Sequence, residues 1–163
     1  MNTQLLKRLY NIYSPSGKEQ EMIKFLSAYI RTLPGRVALT QDRYGNLYAA
    51  KGESDTYPCL VSHIDQVAHC NRSKDFRAVE TRDIIFGFSP GKKRFENLGA
   101  DDKNGIFICL ECLKKYDAWK SHSTLTLLAT QDLPTFLYYM IDPLKSWCWG
   151  AILFYPFKNS RFS

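Results

Sequence analysis

Apolar side chains recur at helical spacing from Met22 onward. Phe25, Leu26, Tyr29, Ile30 and Leu33 follow on one face, and Pro34-Gly35 ends the run. Ser16, with Glu19 three residues later, has the spacing of a capping box, so the helix is predicted to open there. "VALTQDRYGNLYAAKG" then predicts two strands around a Tyr-Gly-Asn turn. "YPCLVSHID" is a short apolar, β-branched run of the kind a buried strand shows. "RAVETRDIIFGFS" predicts a second hairpin region, and "IFICLECLKKY" a helix whose apolar face is Ile106, Cys109, Leu110 and Leu113. "STLTLLAT" predicts one more strand. The order helix, hairpin, strand, hairpin, helix, strand indicates an α/β fold with a mixed sheet. Residues 131–163, crowded with aromatics, follow neither period over a useful length and predict no element.

Composition changes this picture little. The 163 residues are 45% hydrophobic and 23% charged, ordinary for one globular domain. No basic segment with a following apolar run opens the chain, and no stretch approaches the roughly 18 apolar residues of a membrane span, so a cytoplasmic protein is expected. Five cysteines without a secretion signal are expected to be reduced thiols. Cys109 and Cys112 form a C-x-x-C, but at helical spacing on an apolar face they read as core thiols rather than half a metal site. The net charge of +6 has one dense cluster, "GKKRF", which follows Ser89-Pro90-Gly91 and is expected at a solvated turn tip. "GFSPGKK" is no phosphate loop: it has one residue too few between the glycines, and Lys93 stands where Ser or Thr should hold magnesium. Nucleic-acid binding would rest on net charge alone.

Two short stretches carry chemistry. In "VSHID", His63 and Asp65 lie two apart at the end of a predicted strand, where pleating puts both on one face. A metal-bound imidazole needs its second nitrogen held by an acceptor, and a carboxylate suits that role; a hydrogen-bonded histidine at a strand end would look the same. In "NLGADDKNGI" two adjacent acids follow two small residues and precede a helix, whose N-terminus favours anions. A helix cap needs only one of the two. A carboxylate fixed there can bridge two metal ions about 3.5–4 Å apart.

Together these segments resemble the co-catalytic zinc exopeptidases, in particular the tripeptidase T-like and glutamyl-aminopeptidase-like metallopeptidases. The resemblance spans roughly residues 4 to 130 and runs through "SPSGKEQEM", "DRYGNLYAAKG", "LVSHIDQV" and "LGADDKNGI". It implies a three-layer α/β/α sandwich with a mixed sheet, present here only in part. It implies that His63 binds one zinc, that Asp65 orients His63, and that Asp101 bridges two zinc ions, with a cis peptide between Asp101 and Asp102. It further implies hydrolysis of an N-terminal or short-peptide amide bond.

The family's next motif is a Glu-Glu pair, first a general base and then a zinc ligand. Here Asp132 falls at the base position and Leu133 at the ligand position, and leucine cannot bind zinc. His69 and His122, the other two histidines, have no family-like surroundings. Residues 1–130 are therefore expected to be the N-terminal part of a metallopeptidase domain, and residues 131–163 a divergent tail of truncated or frame-shifted origin. The alternative function is an inactive fragment or non-catalytic binding domain that keeps the fold. A short peptide is the expected partner of an active chain, no membrane is expected, and exposed apolar sheet edges are expected to favour self-association.

Overall fold

In the computed structural model of the chain, the described residues are 3–52, 56–66, 72–115, 124–129 and 156–158. The first described element is α1 (Thr3–Asn11), a helix that the apolar spacing of the sequence does not predict. Leu5, Leu6, Leu9 and Tyr10 are its buried residues, an apolar stripe too short to register as a period. α2 (Gln20–Arg31) buries Met22, Leu26 and Ile30. β1 (Val37–Gln41) and β2 (Leu47–Lys51) form the first antiparallel hairpin, and β3 (Thr56–His63) follows. β4 (Arg77–Glu80) and β5 (Ile85–Ser89) form the second hairpin, extended by the short β6 (Arg94–Glu96). α3 (Ala100–Lys115), β7 (Thr124–Ala129) and β8 (Pro156–Lys158) complete the order.

The strands form two sheets. The larger runs β1-β2-β7-β3-β8, and β4-β5-β6 stands apart as a three-stranded sheet. Within the larger sheet only β3 and β7 are parallel, and the β2–β7 and β3–β8 pairs are antiparallel. The sheet is therefore mixed, as the element order indicates. Leu5 and Leu9 of α1, Met22, Leu26 and Ile30 of α2, and Ile106, Cys109, Leu110 and Leu113 of α3 share one core with Leu47, Ala49 and Leu60. All three helices thus close over one face of the sheet. Strand alternation puts Ala50, Cys59 and Val61 on the opposite face, where they are also buried. Among the described residues these elements make two layers, helices on a sheet, with the small sheet beside them.

Lys51 ties the far end of this core together. Its Nζ donates to the carbonyls of Pro34, beyond α2, and Leu113, in the last turn of α3. Carbonyls near a helix C-terminus lack intrahelical partners, so a buried ammonium there is well placed.

The expected capping box is not formed. α2 begins at Gln20 with Glu19 at its N-cap and no side-chain cap bond. The Glu19 carboxylate instead accepts the Gly17 N–H at 2.7 Å, and Gly17 turns the chain at φ +79°. Ser16 is taken up elsewhere, by Asp65.

Candidate metal centre

β3 ends at His63, which lies in register with Ala129 at the end of the parallel strand β7. In open sheets with parallel strands, ligands bind beyond the carboxyl ends of those strands, and His63 marks that end. Asp65 lies past the strand, so the pleat does not align the two side chains. The turn after His63 does: Nδ1 of the imidazole lies 2.9 Å from Asp65 Oδ1 and 3.1 Å from the Asp65 carbonyl. Asp65 is held from its other side as well, its Oδ2 accepting the Ser16 hydroxyl at 2.6 Å.

The second stretch folds so that its two acids face different ways. The Asp101–Asp102 peptide bond is cis, and neither residue has helical backbone angles. Asp101 keeps its carboxylate 72% exposed and directs Oδ1 to His63 Nε2 at 3.0 Å. Asp102 turns inward instead. Its Oδ1 accepts the Gly105 N–H at 3.0 Å, the reach of an N-cap to the third residue of its helix, and its Oδ2 accepts the Ser62 hydroxyl at 2.9 Å. The paired acids therefore divide two tasks: Asp102 caps α3 and fastens it to β3, which leaves Asp101 free to meet the imidazole.

The small residues of the motif serve these contacts. A Cβ on Gly105 would lie 2.3 Å from Asp102 Oδ1, so any side chain there would expel the cap. Gly99, at φ +68°, lets the backbone pass the Gln66 side chain, which a Cβ would meet at 2.8 Å.

Two carboxylates on one imidazole set its charge. The hydrogen bond to Asp65 raises the His63 pKa most, burial opposes it, and Asp101 adds to the rise, leaving it at about 9. Burial pushes the Asp65 carboxyl up, but the hydrogen bonds from His63 and Ser16 outweigh it and hold it below the ordinary value. At neutral pH the imidazole then donates from both nitrogens, Nδ1 to Asp65 and Nε2 to Asp101.

An imidazole nitrogen and a carboxylate are donors that zinc accepts, and a second carboxylate behind the imidazole is the usual means of orienting such a ligand. His63 Nε2 and Asp101 thus fit a metal as two of its donors. Among the described residues no third His, Cys, Asp or Glu joins them. Asp132 and Leu133 lie outside the described residues, as do His69 and His122. Ser62, Gln66, Lys103 and Gly105 support the site without any sequence signal that singled them out, and the signal at Ser16 pointed to a helix cap instead. The nearest hint was their position inside or beside the quoted motifs.

The remaining chemistry-bearing groups lie apart from this cluster. Cys109 is fully buried in the core, and Cys112 packs half-buried against it, as their spacing predicts. Lys92 and Lys93 sit in the turn between β5 and β6, where a solvated tip was expected. No helix among the described residues is long and apolar enough to cross a membrane.

No family model matches the sequence, and no curated protein matches it. Solved structures do match the fold. A tripeptidase from Staphylococcus aureus is 20% identical at a TM-score of 0.62, covering 81% of this chain and 36% of its own. Aminopeptidase PepT from Bacillus cereus is 19% identical at a TM-score of 0.62, covering 80% of this chain and 36% of its own. An aminoacylhistidine dipeptidase from Vibrio alginolyticus is 19% identical at 0.57, covering 79% of this chain and 27% of its own. At such identities the likeness is one of fold. The chain has the fold of the tripeptidase T-like exopeptidases that its sequence resembles, over about a third of the length of those structures.

Proposed function

We propose that this chain carries one half of the active site of a metal-dependent peptidase, and that zinc is the metal. The observation that carries the reading is the convergence of His63 Nε2 and Asp101 Oδ1 to 3.0 Å at the end of β3, with Asp65 holding the far side of the ring. In this reading His63 and Asp101 would hold zinc, Asp101 being the carboxylate available to more than one ion, and Asp65 would orient His63. Zinc supplies Lewis acidity toward a peptide carbonyl and brings a water's pKa down to about 7. Asp132, which follows Ala129 by three residues in the sequence, would serve as the general base. The substrates are short peptides or the N-terminal residue of one. The three-layer α/β/α sandwich belongs to this reading, as do the division at residue 130 and self-association through exposed sheet edges.

A second reading is favoured by one observation: among the described residues only two donors converge. On that reading the chain keeps the fold as a non-catalytic domain. Zinc titration of the purified chain beside Asp101→Ala separates the two. Stoichiometric zinc that is lost in the variant supports the metal site and makes peptide hydrolysis assays decisive for activity. Zinc uptake no greater than that of the variant leaves only the non-catalytic reading.

A further inference from the structure

Lys103 is fully buried, and its amino group lies between two acceptors from distant parts of the chain. One is the carbonyl of Ile12, just past α1, at 2.5 Å. The other is the Gln66 side-chain oxygen. Gln66 is itself 3% exposed, and its backbone N–H donates to the Ser14 carbonyl at 2.8 Å. Pro15 and Gln66 are also joined by an isolated parallel bridge. The same Gln66 side chain packs on the bare Cα of Gly99.

These contacts sit symmetrically about the pair described above. Gln66 is next to Asp65 and three residues from His63. Gly99 and Lys103 stand two residues before and two after Asp101. Ser16, which grips Asp65, follows the Pro15 that bridges Gln66. A buried lysine is costly unless its charge finds acceptors, and a lysine needed only to fill core space would be better replaced by methionine. Here the amino group joins the two segments that carry the imidazole and the carboxylate.

The geometry points to Lys103 and Gln66 as positioning residues: their buried hydrogen bond sets the distance between His63 and Asp101. Neither side chain touches a substrate or a metal in this role. They act through the backbone segments 63–66 and 99–103, so that a ligand pair drawn from a strand end and a helix start is held ready for an ion. The inference rests on the metal-site reading for its purpose, but the arrangement it describes can be measured without metal.

Lys51 supplies the control, because it too is a buried lysine bonded to two carbonyls, at the opposite end of α3. Lys103→Met, Gln66→Met and Lys51→Met would be made in the full chain. Each would be followed by thermal melting, by zinc affinity, and by the nuclear Overhauser contact between the His63 ring and the Asp101 β-protons in metal-free protein. Lys103→Met and Gln66→Met should lose that contact and weaken zinc binding about 10- to 100-fold, the usual effect of removing a group that orients a ligand. Lys51→Met should lower the melting temperature without either change. If the two site variants keep the contact and the affinity, or change no more than Lys51→Met does, the inference is overturned. Should Lys103→Met fail to fold, Gln66→Met decides alone, since it leaves Lys103 its bond to Ile12. Should the parent chain take up no zinc, the peptidase reading fails and the Overhauser contact alone decides this one.

Discussion

Asp101 and Asp102 are adjacent and chemically identical, yet their surroundings make opposite demands on them. Asp102 supplies a helix with its cap and a strand serine with an acceptor, whereas among the described residues Asp101 meets only the imidazole edge. Substituting them should therefore separate stability from metal binding. Asp101→Asn loses an exposed ion pair worth less than about 1 kcal/mol, and should abolish zinc uptake while leaving the urea midpoint nearly unchanged. Asp102→Ala uncaps α3 and leaves the Ser62 hydroxyl only its longer contacts to the His63 and Asp102 carbonyls, so it should cost about 1–2 kcal/mol in the same titration. Equal costs for the two variants would show that the division of tasks is wrong. The sequence made His63, Asp65 and Asp101 legible as a group because an imidazole and acids at these spacings form a recognisable pattern, and the structure brings the three side chains together. It concealed the roles of Asp102, Ser16 and Lys103, because any acid can cap, any serine can donate, and a buried lysine looks like a surface one until its partners are placed. The partners of Lys103 come from Ile12 and Gln66, far along the chain, and no local pattern encodes that meeting.

The first hairpin shows how an element can be legible while its organiser is not. The Tyr44-Gly45-Asn46 turn is plain in the sequence, and Gly45 adopts φ +94° there. Its shape, however, is held by Asp42. Asp42 Oδ1 accepts the N–H groups of Tyr44 and Asn46, and Oδ2 accepts the Asn46 amide and the Tyr48 hydroxyl. Burial pushes this carboxyl up, but the four hydrogen bonds outweigh it and leave its pKa below the ordinary 3.8. A folded pKa below the unfolded one means that the contribution is fully present above pH 3.8 and is lost as pH falls through the folded value. Asp42→Asn should therefore cost about 1 kcal/mol at neutral pH, where an amide nitrogen replaces a charged acceptor. It should also flatten the acid-side fall of the urea midpoint, measured down through about pH 3. A variant that loses stability in parallel with the parent across that range would exclude Asp42 as a contributor. The missed and misplaced helix starts have the same origin. α1 is only 9 residues long, and the box at Ser16 was overridden when Asp65 took the serine hydroxyl.

At the scale of the molecule, the helical and strand periods foretold the elements but not their assembly. That β7 would enter between β2 and β3, or that β4-β5-β6 would leave the main sheet, depends on contacts between segments far apart in sequence. The consequence is a single core in which α3 lies against β3, so that the site sits where one helix starts and one strand ends. Such a core should open as one unit, and its thiols can report on that. Burial pushes the Cys59 thiol of β3 up to about 11 and raises Cys109 of α3 further still, whereas Cys112 is only half-buried. The reactive form of a thiol is the thiolate, so Cys59 and Cys109 are protected both by exclusion of reagent and by their protonation. Pulse alkylation with peptide mapping by mass spectrometry should show Cys112 labelled in the native chain. Cys59 and Cys109 should stay unlabelled until global unfolding, and then gain label together as urea is raised. Early labelling of Cys109 with Cys59 still protected would mean that α3 lifts from the sheet by itself. In that case Asp101 would be carried by an element of low stability, and the pairing with His63 would hold only while α3 stayed in place.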